Sequence, residues 1–236
     1  MNNEPSTAGR AVAGAPLRLV IFDFDGTLAD TSRHIVLTVQ RTERAMGLPV
    51  HSEEQCAGII GLVLKDAFSA LHPSLSDEAA EACADTYRRI FAETLAGFPP
   101  KPFDGVVQML EQLHGRGLLL AIASSRSSRS LRALWADMHM PVEMAMTVGS
   151  DDTERHKPDG EPVEKIMEAL GVPAAATLTV GDMPVDILMG HNGGTRTCGV
   201  SYGNASRELL EKAGADFVID DALSLLGVVD RLCRTN

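Results

Sequence analysis

The chain is 236 residues long, 44% apolar, with 21 Lys and Arg against 32 Asp and Glu, a formal net charge of −11. Such a composition supports a packed core and excludes a disordered chain. The acidic balance argues against a nucleic-acid partner, because phosphate backbones need basic surfaces.

In chain order, residues 1–16 are small and polar and read as a loose tail without the apolar run of a signal peptide. Leu17–Phe24 follows as an apolar run that stops at carboxylates. It is far too short to span a bilayer, so no membrane partner is expected. Residues 31–98 show only helical patterns: Ser32–Met46, Ser52–Gly58, Leu64–Leu71 and Asp77–Leu95. The stiff stretch Phe98–Pro102 closes this block, which reads as a small all-helical domain inserted after the first strand. Strand-like runs then recur at Leu118–Ala123, Met144–Val148, Thr177–Val180, Thr195–Val200 and Phe217–Ile219. Amphipathic stretches such as Asp104–Gly115 and Glu161–Leu170 lie between them. Short apolar runs alternating with helices predict an α/β fold with a parallel sheet and right-handed crossovers. Its core covers 17–30 and 99–236.

Chemistry gathers where the apolar runs end, the usual place for ligand sites in open parallel sheets. The first run ends in Asp23-Phe24-Asp25-Gly26-Thr27. Two carboxylates two residues apart repel, so a cation is expected beside them, and oxygen ligands suit Mg²⁺. Asp-Gly is also a common turn signal. The fourth run ends in Gly181-Asp182-Met183-Pro184-Val185-Asp186, where a helix would bring Asp182 and Asp186 near one spot. N-capping by Asp182 and a solvated Asp186 are the plainer alternatives. Leu118–Ala123 ends in Ser124-Ser125-Arg126, either an anion site at a helix start or simply a cap. Lys157 precedes a helix and is placed to neutralise a phosphoryl oxygen, although most lysines are merely solvated. The four cysteines show no zinc-type spacing and read as thiols in a reducing cytoplasm.

In this order, DFDGT at 23–27, Ser124, Lys157 and GDMPVD at 181–186 resemble the haloacid dehalogenase superfamily of phosphohydrolases. His191-Asn192-Gly193-Gly194 and Tyr202-Gly203 are similar to its phosphoglycolate phosphatase-like branch. The resemblance implies a Rossmann-like core with the helical block as cap. It implies Asp23 as nucleophile forming an aspartyl-phosphate, Asp25 as general acid and base, and Ser124 and Lys157 holding the phosphoryl group. Mg²⁺ would be bound by Asp23, Asp25 through its carbonyl, Asp182 and Asp186. Gly26, Thr27, Ser125 and Arg126 would join the phosphate-binding loops. Lys65 in the block would meet a second anionic group of the substrate, or else is a solvated helix-start lysine. His156, standing where the family has glycine, and His191 are not expected to bear on the chemistry. Trp135 reads as packing. The expected partner is a small-molecule phosphate ester of the phosphoglycolate or sugar-phosphate type. A pyrophosphatase, a β-phosphoglucomutase-type mutase and a non-catalytic binding domain stay open, as do monomer and homodimer.

Overall fold

A computed structural model describes residues 15–234. Residues 1–14 of the expected tail lie outside them. Strand β1 (Leu19–Phe22) is followed by α1 (Ser32–Ala45), α2 (Glu53–Ala57), α3 (Leu64–Leu71) and α4 (Asp77–Thr94). Then come α5 (Val106–Gly115), β2 (Leu119–Ala123), α6 (Ser128–Asp137), β3 (Met146–Val148), α7 (Glu161–Leu170) and β4 (Thr177–Gly181). The chain continues with α8 (Pro184–Asn192), β5 (Arg196–Val200), α9 (Arg207–Lys212), β6 (Phe217–Ile219) and α10 (Leu225–Arg234).

The strands form one six-stranded, all-parallel sheet in the order β3-β2-β1-β4-β5-β6. Period-two alternation splits β1 between its two faces. Val20 and Phe22 join one apolar cluster with Val106, Leu110 and Leu113 of α5 and Val228 of α10. Leu19 and Ile21 join another with Val163 and Ile166 of α7. With both faces covered, β1 needs an unbroken apolar run, which LVIF supplies. The first cluster continues into the helical block through Ile35, Val39, Phe68 and Phe91. Trp135 packs against it, half-buried.

Several boundaries shift by one or two residues from the sequence pattern, and two of these shifts have a clear physical cause. Phe24 is fully buried, yet sheet pairing stops at Phe22, because the chain turns into the Asp25-Gly26 corner. Helix α5 starts at Val106 rather than Asp104 because Gly105 has φ of 80°. Where the chain leaves the sheet for the helical block and where it returns, the two crossings touch. The Asp30 N–H donates to the Lys101 carbonyl at 2.8 Å, and Ala29 bridges Pro102.

The strand order reverses at β1: β2 and β3 extend to one side, β4 to β6 to the other. This switch point opens a crevice beyond the carboxyl ends of β1 and β4. No helix of the described residues is long and apolar enough to cross a membrane.

Candidate active site

Asp23 directly follows β1, and its N–H still bonds the Val180 carbonyl of β4 at 2.8 Å. Asp182 directly follows β4. Asp186 sits in the first turn of α8, where its carboxylate accepts the Met183 N–H at 3.0 Å. One carboxylate oxygen from each of Asp23, Asp182 and Asp186 lies within 4.8 Å of the others, and all three side chains are buried. Lys157, also buried, donates to Asp23 and, at 2.7 Å, to Asp186.

Three carboxylates around one ammonium leave a buried excess of negative charge. Burial pushes Asp23 well above the usual carboxylate range; Lys157 pulls it down, while Asp186, Asp182 and Asp25 push it up. Asp182 is pushed up to about 7 by burial and then by Asp186, against hydrogen bonds from Asn204 and Thr27. Burial opposes the Lys157 charge, but Asp186 and Asp23 outweigh it and hold the ammonium above its ordinary value. An all-oxygen donor set with unbalanced charge fits a hard divalent cation.

The alternation that would aim Asp25 with Asp23 fails at the corner, where Gly26 takes φ of +86°. The Asp25 carboxylate stands outside the three-carboxylate cluster. It takes a two-pronged bond from Arg126, Nε at 2.6 Å and Nη2 at 2.8 Å, and the Thr31 hydroxyl. Arg126 is therefore no free cation for an anion: its guanidinium is neutralised by Asp25 and lies 4.7 Å from the Phe91 ring centroid in α4. Thr27 donates its hydroxyl to Asp182 at 3.1 Å. Ser125 donates to the Gly61 carbonyl in the helical block at 2.5 Å. Lys65 is exposed and paired with Asp77 at 2.7 Å, although it borders the cleft. Ser124 is buried with its Oγ accepting the Arg126 N–H at 3.2 Å, and it faces the cleft. His191 bonds Thr197, and His34 stacks on Phe91 and Phe98; neither joins the carboxylates.

Asn204 had no signal in the sequence. Its backbone N–H and its side-chain amide both donate to Asp182 Oδ2, at 2.8 and 2.7 Å, from a loop after β5. Gly203 beside it is the size the site allows: an added Cβ would lie 2.3 Å from the Gly26 carbonyl and 2.4 Å from Asp182 Cβ.

Above the carboxylates lies a cleft of about 920 Å³ between the sheet edge and the helical block. Its floor holds Asp23, Asp25 and Ser124, and its walls include Leu62, Val63, Phe68 and Phe91. A second cavity of about 10 Å³, the size for one water, lies beside Ser124, His156 and Lys157. His156 Nδ1 is the buried side-chain polar atom that finds no partner among the described residues.

The family model of haloacid dehalogenase-like hydrolases matches residues 20–200. The chain belongs to this family. It is 31% identical over 218 residues to a pyrophosphatase of Anoxybacillus flavithermus, covering 91% of this chain and 99% of that one. It is 29% identical to an N-acetylmuramic acid 6-phosphate phosphatase of Pseudomonas aeruginosa, covering 92% and 97%. The crystal structure of a hydrolase from Pseudomonas syringae superposes with a TM-score of 0.81 at 25% identity, covering 91% and 98%. Family and relatives make the chain an enzyme of the phosphatase type, with a Rossmann-like haloacid dehalogenase core. Because those relatives act on different phosphates, membership alone names no substrate.

Proposed function

We propose that the chain is a Mg²⁺-dependent phosphatase of small phosphate esters, with Asp23 as nucleophile and residues 31–98 as a cap over the cleft. The observation that carries this reading is Lys157 lodged between Asp23 and Asp186 beside Asp182, a buried, charge-unbalanced site at the sheet's switch point. Asp23, Asp182, Asp186 and the Asp25 carbonyl would hold Mg²⁺, which supplies neutralisation of phosphoryl charge. A carboxylate oxygen of Asp23 attacks phosphorus as the bond to the leaving oxygen breaks, giving an aspartyl-phosphate. Asp25 gives a proton to the leaving oxygen, then takes one from the water that attacks phosphorus and releases Asp23 and inorganic phosphate. Arg126 and Thr31 aim the Asp25 carboxylate; Lys157 and Ser124 hold phosphoryl oxygens. The mostly apolar cleft wall favours an organic ester with an apolar face.

The test is phosphate release from a panel of phosphomonoesters and pyrophosphate, with Mg²⁺, with chelator, and with Asp23→Asn. Mg²⁺-dependent turnover that Asp23→Asn abolishes, with phosphate trapped on Asp23 by mass spectrometry, supports the reading. Turnover surviving in Asp23→Asn, with reversion to Asp excluded by mass, overturns it.

A further inference from the structure

A second cluster lies inside the helical block, away from the catalytic carboxylates. Glu43 on α1 is fully buried. Its Oε1 meets His51 Nδ1 at 2.7 Å and His72 Nε2 at 3.0 Å, while its Oε2 accepts the His51 N–H at 3.0 Å. His51 comes from the loop before α2, and His72 caps the end of α3. One ligand atom from each of the three lies within 4.8 Å of the others. Among the described residues no lysine or arginine pairs with Glu43. A fully buried carboxylate without a fixed cation is costly, so its charge must be met at the imidazoles, by a proton or by a metal ion.

We propose that Glu43, His51 and His72 form a binding site for a divalent transition-metal ion of the zinc type, which ties α1, the loop before α2 and the end of α3 together. Two imidazoles and one carboxylate are a borderline-soft set that suits Zn²⁺ or Co²⁺ and not Mg²⁺ or Ca²⁺. Three protein ligands leave a fourth position, and the opening is on the His51 side, whose side chain is 19% exposed against 7% for His72 and none for Glu43. The site is independent of the catalytic reading, since no group is shared.

Full-length Asp182→Asn, which lacks one carboxylate of the catalytic cluster, isolates this site. It is dialysed against ZnCl₂, stripped of loosely held ion on a chelating resin, and its zinc measured by mass spectrometry. The expected result is one equivalent per chain, held at least tenfold more weakly once His72→Gln or His51→Gln is added. The unmutated chain gives a check that needs no folded variant. ZnCl₂ should shift the ring ¹⁵N resonances of His51 and His72, and MgCl₂ should leave them in place. No retained zinc, equal retention after His72→Gln, or ring resonances indifferent to ZnCl₂ would each overturn the site and leave a hydrogen-bonded trio.

Discussion

Arg126→Met is the most informative single change. It removes both prongs on Asp25, at 2.6 and 2.8 Å, and the contact with Phe91, while keeping a long apolar stem. The paired side chains are only 11% and 12% exposed, so solvent cannot replace the lost partner. Breaking a buried pair by removing one member costs about 3–5 kcal/mol. The Thr31 hydroxyl still donates to Asp25, which puts the expected loss near the lower bound. Arg126→Lys keeps the charge but not the fork, and should recover about half of that loss. Urea unfolding followed by circular dichroism reads the stability. Phosphate release at saturating substrate should fall by about 10²-fold or more, because Asp25, the proposed general acid, loses its aim. An Arg126→Met chain within about 1 kcal/mol of the parent and with full turnover would refute the claim that this pair holds Asp25.

Three further outcomes follow. Asn204→Ala strips the side-chain donor from Asp182 Oδ2, leaving the backbone N–H in place, and should weaken Mg²⁺ activation by about 10-fold with little change in substrate KM, read by titrating Mg²⁺ in the phosphate assay. Gly203→Ala drives a methyl to within 2.4 Å of Asp182 Cβ and should cost at least as much Mg²⁺ affinity, with stability falling about 1–3 kcal/mol by urea unfolding. In chelator, stability should depend on pH through the buried carboxyls. Asp182 rises from 3.8 to about 7 in the fold, so its contribution is whole below pH 4 and is lost as pH climbs through 7. That difference corresponds to up to about 4 kcal/mol. Lys157, held above its ordinary value, stays charged across this window and adds no slope. The urea midpoint of the chelated protein should therefore drop between about pH 4 and 7. Asp182→Asn should flatten the drop, and an unchanged slope in that variant would exclude Asp182 as its source.

Much of the fold was legible because burial and hydrogen bonding coincide over most of the sheet. Leu64–Leu71, Glu161–Leu170 and Phe217–Ile219 fall where the apolar pattern places them. Where the two part company, at Phe24, hydropathy reports burial and misses the end of pairing. Within the site, Asp23 and Asp182 are readable because each stands one residue beyond a strand, so topology alone brings them together. The partner of Asp25 is not readable: Arg126 is 101 residues away, and nothing in Ser-Ser-Arg separates a guanidinium turned to a carboxylate from one turned to a phosphate. Glu43, His51 and His72 escape for the same reason. Their spacings match no zinc motif, since helix packing rather than a local loop assembles them.

The touching crossings at Ala29–Asp30 and Lys101–Pro102 make the helical block a graft on a short stem. From the sheet's side, everything between Thr31 and Pro100 is one loop whose ends are already pinned together, so the entropy of closing it grows only slowly with its length. A change of length inside that loop leaves the pairing of the stem itself in place, and reaches the strand that carries Asp23 through the apolar cluster the two share. With the block as the proposed cap, substrate choice would change with the graft while the proposed catalytic floor stayed with the sheet.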